Sequence, residues 1–538
     1  MFDIGKLHLY NLGVSPQAIL LPLPLLVPEQ EHLTGYIPTV MGPVEFREWK
    51  SQLERMSEIL SLGGVETTFQ RLSLARRNEE ERRAAEKENR PFRAFSTGEQ
   101  ASYQRLSSQA LRCNVARTLT GESFRDFGCR LSESMLLQWF GKLDRIDAVH
   151  VPGKSALQRY SQWLPEEEMR KVIDTLVGAA SGVAETGAQT LELTESLNLE
   201  AYFLDTTCVK LHIHFPVDWV LLRDAARTLM KATILIRKRG LKVRMEEPAE
   251  FLKRMNRLCI KMTHARRKKD GKRARKAVLR EMKKLSKIIA AHAERHLELL
   301  NGRWRETDLK EGEVRQIAER IEMVLNQLPE AIWQAHERII GERQVKNDRK
   351  ILSLYEGHAA VYVRGKAGAE VEFGSQLLLG ESESGVIVDW ELVNGSPKAD
   401  TKMLGRSLDR LKQTAGGTSI GSVCGDRGFD SKANRELLEN DGIYNAICPK
   451  VPGELKERMK EAEFAGMQTR RSQTEARISI FKNGFLGAPL LSKGHGNQSR
   501  EASLERAGAQ FVGDRADAAR SGQSAGKSQL AERLIPIN

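Results

Sequence analysis

The placement of the strand-forming segments constrains this chain most. Residues 198–215 (LNLEAYFLDTTCVKLHIH) have strand chemistry, with Phe203, Val209, Leu211 and Ile213 in partial alternation around the polar break Asp205-Thr206-Thr207. The next strand-rich block is 359–394, where AAVYVRG, EVEFGSQLLLG and GVIVDWELV follow one another. Between the two blocks, residues 225–345 read as mostly helical. A sheet that draws on both blocks must therefore carry a long helical insertion.

After residue 359, strands and helices alternate. SIGSVCGD (419–426) reads as a strand ending at Asp426. SKANRELLENDG (431–442) reads as a helix with Ser431 near its N-cap and Gly442 near its end. IYNAIC (443–448) and a helix over 471–482 follow. Alternation of this kind predicts a mixed-sheet α/β core, in which functional groups gather where strand ends meet helices.

Upstream, Ser107 to Val177 holds short amphipathic helices, with Phe124, Phe127, Leu131, Leu136, Trp139 and Phe140 at helical spacing, and residues 44–91 look helical and charged. A chain of 538 residues has room for roughly two to four domains. The expected division is a helical and irregular region over 1–106, an all-α unit over 107–180, a core formed by 198–224 and 350–490, a basic helical insertion over 225–349, and a tail over 491–538.

Charge is concentrated in one place. The chain carries a net +13, yet Lys253–Lys287 holds 16 Lys and Arg against only Asp270 and Glu281, so the remainder is close to neutral. Such a run favours a polyanionic partner tracked through its phosphates, with a solvated helical hairpin or a protein contact as the plainer reading. Its densest part is Arg266, Arg267, Lys268 and Lys269. A second polar patch lies in VPGKSALQRYSQWL (151–164), where Ser155 could cap a helix bearing Lys154, Gln158 and Arg159. That helix reads either as a recognition helix after a turn or as an ordinary solvated one.

No stretch approaches the roughly 20 apolar residues of a membrane span. The apolar run Ala18–Val27 has no basic cluster before it and no small-x-small site after it, so it reads as a buried or polyproline-like segment and not as a signal peptide. Six cysteines without a CxxC pair suggest neither a zinc site nor a disulfide framework, and a cytoplasmic setting is expected.

Three carboxylates stand out. Asp205 closes the apolar strand AYFL, Asp426 closes SVCG before the turn Arg427-Gly428, and Glu475 lies in RRSQTEARISIFK, where Ile478 and Phe481 can face a core while Glu475 and Lys482 project from nearly the same side. Taken singly, such acids are usually turn, cap or ion-pair residues. Converging, they would suit Mg²⁺ or Mn²⁺, and two ions about 3.5–4 Å apart would need shared carboxylates. Asp389 and Asp430 are lesser acids, the first in a strand and the second placed to cap the helix that follows.

At these residues the sequence resembles bacterial insertion-sequence transposases with a DDE site. The family signature Y-x2-R-x3-E-x6-K is matched by Arg471, Glu475 and Lys482, while Gln468 stands at the Tyr position. GDRGFDS (425–431) is similar to the segment around the family's second Asp, LDTT (204–207) to the first, VRGKAGAEVEFGS (363–375) to the strand between them, and 121–164 to the N-terminal helical DNA-binding domain. The likeness covers roughly 107–490.

The resemblance implies an RNase H-like core interrupted by the helical insertion and preceded by an all-α DNA-binding domain. It implies that Asp205, Asp426 and Glu475 hold the metal, as two ions in the family's manner, and that Arg471 and Lys482 lie near the DNA backbone. It also implies double-stranded DNA as substrate, at the transposon's terminal inverted repeats and at the target, a homo-oligomer on DNA, and association with the nucleoid. The readings without strand transfer are a DNA-binding protein that has lost catalysis and a nuclease of the same core.

After about Gly496 periodicity is lost, and the tail reads as disordered or out of frame. With permitted synonymous codons, Ser503–Ala519 read one nucleotide later encodes AWSVLAHNLWVIARMP, an apolar segment resembling the family's usual end. A frameshift there would remove the helix that packs after Glu475 and destabilise the core.

Overall fold

The computed structural model describes residues 41–143, 149–181, 197–265, 270–366, 369–414, 420–487, 489–490 and 492–503. The apolar run at 18–27, the quartet Arg266, Arg267, Lys268 and Lys269, and all but the first residue of the out-of-frame segment lie outside these residues. The fold is α/β.

Seven helices come first: α1 (Val44–Leu62), α2 (Val65–Lys87), α3 (Thr97–Thr120), α4 (Phe124–Glu133), α5 (Met135–Phe140), α6 (Lys154–Tyr160) and α7 (Glu166–Ala180). One hydrophobic cluster runs from Leu53 and Phe69 through Phe127 and Phe140 to Leu176. The expected boundary between 106 and 107 therefore falls inside α3, and residues 44–106 belong to the same helical unit. A buried ion pair reinforces this: Arg112 on α3 donates to Glu66 on α2 at 2.9 Å. Burial alone would raise the Glu66 carboxyl, but Arg112 and Lys142 outweigh it and hold it down to about 2.

The sheet begins with β1 (Ala201–Lys210). The insertion follows as α8 (Asp218–Lys238), α9 (Pro248–Ala265), α10 (Gly271–Arg303) and α11 (Glu311–Ala335), starting earlier than the expected residue 225. It has a core of its own, from Leu221 to Leu354. The chain then supplies β2 (Ala360–Lys366), β3 (Ala369–Ser382), β4 (Ile387–Leu392), α12 (Leu404–Thr414), β5 (Ser422–Gly425), α13 (Lys432–Asn440), β6 (Tyr444–Ile447), α14 (Pro452–Arg458) and α15 (Ala462–Ile480). Strand order is β2-β3-β1-β5-β6, with β4 also on β3. β3 runs antiparallel to β1, β2 and β4, while β5 is parallel to β1 and β6 to β5.

Ser431 caps α13, its hydroxyl accepting from the Asn434 amide, and Gly442 follows the helix at φ +67°, both as the sequence predicts. Helix α15 starts at 462, well before the expected 471. The tail also differs from expectation over its first part. Residues 495–503 are helical, Ala502 joins the main core, and buried Gln498 bonds His358 and Glu356.

Tyr202 and Leu204 face the side of the sheet covered by α7 and α12. The Tyr202 ring lies over Gly380 of β3, where a Cβ would fall inside the phenol. Its hydroxyl meets Ser407 at 2.6 Å, and Ser407 donates to Asp389 at 2.7 Å. Gly380→Ala is expected to displace that ring and lower stability by at least about 2 kcal/mol, read as a fall in the urea midpoint.

Candidate active site

Asp205 and Asp426 are brought together by the parallel pairing of β1 and β5. Leu204 pairs with Gly425, the last residue of β5, across an interstrand gap of about 4.8 Å, so Asp205 within β1 and Asp426 just past β5 leave from neighbouring positions. Alternation places Asp205 on the same face as Phe203, and Asp426 on the face of Cys424. Phe203 and Cys424 pack against Phe464, so this is the face covered by α15.

The pair is electrostatically loaded. Burial pushes the Asp205 carboxyl up to about 6 and the Asp426 charge adds to it; the Thr206 amide and Arg471 oppose the rise, and Glu475 supports it. Asp426 accepts from the Gly428 amide at 2.8 Å.

Helix α15 brings in the third acid. Its register is set by Gln468, whose amide donates to the Ala446 carbonyl at the end of β6 at 2.6 Å. Arg471 reaches back to Gln468 at 3.3 Å and forward to Glu475 at 3.0 Å. Glu475 is 57% exposed in this ion pair. Lys482, in the π-helical turn Phe481–Leu486, donates to Thr207 of β1 at 3.1 Å.

No family model, curated protein or solved structure matches the chain. The site is therefore read from its own geometry.

Among the described residues, no three His, Cys, Asp or Glu side chains stand together as ligands for a metal ion. Asp205 and Asp426 converge, whereas Glu475 is drawn aside by Arg471. The all-oxygen donor set suits Mg²⁺ or Mn²⁺, and the like charge crowded onto Asp205 is what a cation would relieve. The two aspartates fit such an ion. Glu475 is held by Arg471 instead.

One acid at the site escaped the sequence reading. Asp400, in the short 3-10 turn before α12, accepts from Thr206 at 2.9 Å and Gln376 at 3.1 Å. Its other oxygen lies 2.6 Å, and an Asp426 oxygen 2.8 Å, from where a Cβ on Gly428 would sit, so the two carboxylates face each other across that glycine. Burial raises the Asp400 carboxyl above its ordinary range, the Thr206 hydroxyl pulls it back, and the Asp426 charge raises it again.

The lesser acids are structural. Asp389 is buried against Ser407 and both donors of a bidentate Arg410. Asp430 does not cap α13, since Ser431 does; it pairs with Arg435 at 2.7 Å and accepts from the Lys450 amide.

Of the expected DNA-contacting residues, Lys154, Gln158 and Arg159 are all exposed on α6, while Leu157 and Tyr160 anchor that helix. Gly153 is its N-cap, and Ser155 lies inside the helix. The basic run is partly neutralised by acids outside it: Lys253 pairs with Glu250, Arg254 with Glu246, and Lys272 and Lys276 with Glu342.

Asp205 also makes stability depend on pH. Its folded pKa stands above the ordinary 3.8, so between about pH 4 and 6 the folded protein keeps a proton that the unfolded chain releases. Stability from this group is therefore lost as pH rises through 6. In metal-free protein, Asp205→Asn is expected to stabilise at pH 8 by as much as about 2 kcal/mol, allowing for solvent screening, and to change little at pH 4. Urea unfolding at the two pH values checks this.

Proposed function

We propose that this chain is a DNA transposase of the DDE class, cutting phosphodiesters at transposon ends and joining the freed 3′ end to target DNA. The observation that carries this reading is the placement of Asp205 on β1 and of Asp426 just past the end of the adjacent parallel strand β5, under a helix that bears Glu475. The mixed sheet, interrupted after β1 by a helical insertion, supports an RNase H-like core.

Asp205 and Asp426 would hold Mg²⁺ or Mn²⁺, with Glu475 as the third ligand. When bound, such ions supply charge neutralisation at the phosphate and Lewis-acid activation of water and of the leaving oxygen. The chain's own groups orient the reaction. Thr206 ties Asp205 to Asp400, Gln468 fixes the height of α15 against the strand ends, and Arg471 and Lys482 place positive charge beside the acids, where a DNA backbone would be drawn in. The exposed face of α6 with Lys154, Gln158 and Arg159 is the surface for terminal-repeat recognition. Double-stranded DNA and a second copy of the chain bound to it are the partners this reading requires.

A specific observation favours a second reading, a DNA-binding protein without catalysis: Glu475 is exposed and engaged by Arg471. Cleavage of duplex DNA carrying the terminal inverted repeats that flank the gene separates the two. Mg²⁺-dependent cleavage by the wild type and its loss in Asp426→Ala support the transposase; binding without cleavage by the wild type supports the second reading.

A further inference from the structure

The insertion contains a cleft that none of the expected site residues line. It lies between α8 and α11, has a volume of about 1140 Å³, and is also lined by Tyr355, Lys493 and Gly494. Six cations line it against one carboxylate, Glu313. Arg227 and Arg239 are paired with Asp224 and Asp308. Lys231, Lys238, Arg320 and Lys493 have no ion-pair partner among the described residues, unlike the cations of the basic run paired with Glu246, Glu250 and Glu342.

The arrangement is ordered along the helices. Arg227, Lys231, Leu235 and Lys238 form one exposed stripe on α8, about 16 Å long. Arg320 faces it from α11. Between these charges the walls are apolar, with Ile234, Ile317 and Met323. Lys493 belongs to the stretch that follows α15, and the Gly494 amide donates to Glu356 at 3.0 Å, so the cleft adjoins the unit that carries Glu475.

We propose that this cleft binds one strand of nucleic acid, with backbone phosphates on Lys231, Lys238, Arg320 and Lys493 and bases against the apolar walls. Charge selects a polyanion. The apolar walls select a single strand, because an unpaired strand presents base faces for apolar contact while a duplex presents its backbone. The inference rests on the reading of the chain as a DNA-processing enzyme, and it adds a binding site whose lining includes none of the acids.

Fluorescence anisotropy with labelled oligothymidylate, beside a duplex of the same length, tests it on the full chain. The substitutions Lys231→Ala, Lys238→Ala, Arg320→Ala and Lys493→Ala combined alter exposed side chains and leave the helical core intact. They are expected to weaken oligothymidylate binding on the order of 10²-fold at 0.1 M salt and to reduce the salt slope by about 3, the share of four phosphate contacts on a single strand. Leu235→Asp alone is expected to weaken the single strand and spare the duplex.

Unchanged affinity and slope in the combined variant would overturn the proposal, as would failure of the wild type to bind oligothymidylate. An equal or larger loss for the duplex would overturn the single-strand assignment. Asp426→Ala, which alters no residue of the cleft, is expected not to lower oligothymidylate affinity. If the wild type cleaves no DNA yet loses single-strand binding in the combined variant, the cleft stands and the catalytic reading fails.

Discussion

Asp205→Asn and Asp426→Asn are each expected to lower Mg²⁺-dependent DNA cleavage by on the order of 10²–10³-fold or more, the scale on which loss of one fixed electrostatic contact to developing charge is felt. Asparagine preserves size and an acceptor oxygen, so the Thr206 and Gly428 amides keep their partners and the strands stay in register. What is lost is the anionic charge. Affinity for DNA should hold or rise, because removing a carboxylate reduces repulsion of the backbone. Glu475→Gln should be equally damaging if that residue leaves Arg471 to complete the site. Should Glu475→Gln retain activity while Asp400→Asn abolishes it, the third ligand is Asp400, which already faces Asp426 across Gly428. Rates measured on a nicked or duplex end substrate at saturating Mg²⁺ distinguish these outcomes.

Glu381→Leu is expected to be the most destabilising single change near the site, at about 3 kcal/mol. Glu381 is only 3% exposed and takes three donors from α15: Arg470 at 2.8 Å, Thr474 at 2.6 Å and Arg477 at 3.2 Å. Removing one partner of a buried charge cluster leaves the others uncompensated, which costs about 3–5 kcal/mol; the partial exposure of Arg477 places this case at the low end. Glu381→Gln keeps an acceptor and is expected to cost about 1–2 kcal/mol. The loss should be local as well as global. Arg470 also lies over the Phe203 ring at 4.6 Å, so the cluster fastens α15 to β1 on the face that carries Asp205. Amide exchange in α15 should accelerate more than exchange in β3, and cleavage should fall with it.

The sheet was legible because its strands are short apolar runs between turn residues, although β4 and β5 are buried throughout and do not alternate. Asp426 could be found because it follows an apolar strand, and strand ends are where an α/β sheet exposes groups to a common edge. Asp205 was read as closing a strand too, but β1 runs on through it to Lys210, because Cys208 and Val209 continue the buried face beyond the polar break. The sequence could not show that Leu204 and Gly425 are partners, since register is a property of the assembled sheet. Asp400 was hidden for a related reason: an Asp before an amphipathic helix reads as a cap, and only the fold brings it to Thr206. Gln468 looked like a defect in a motif, yet it donates to the Ala446 carbonyl and sets the register of α15. The all-α unit was divided too late in the chain because the charged run ending α2 hides buried Arg77 and Ala85. The same difficulty applied to the basic run, whose partners Glu246, Glu250 and Glu342 lie outside residues 253–287.

Metal binding is the most direct test of the central claim, because it asks about the acids without requiring the right DNA. Titration of the full chain with Mn²⁺, followed by the loss of free-ion electron paramagnetic resonance signal at pH 8, should show saturable binding in the wild type. Binding should be strongly weakened in both Asp205→Asn and Asp426→Asn, while Asp389→Asn, altering a buried structural acid, should bind like the wild type if it folds. Equal Mn²⁺ binding by the wild type and by both site variants would contradict the account.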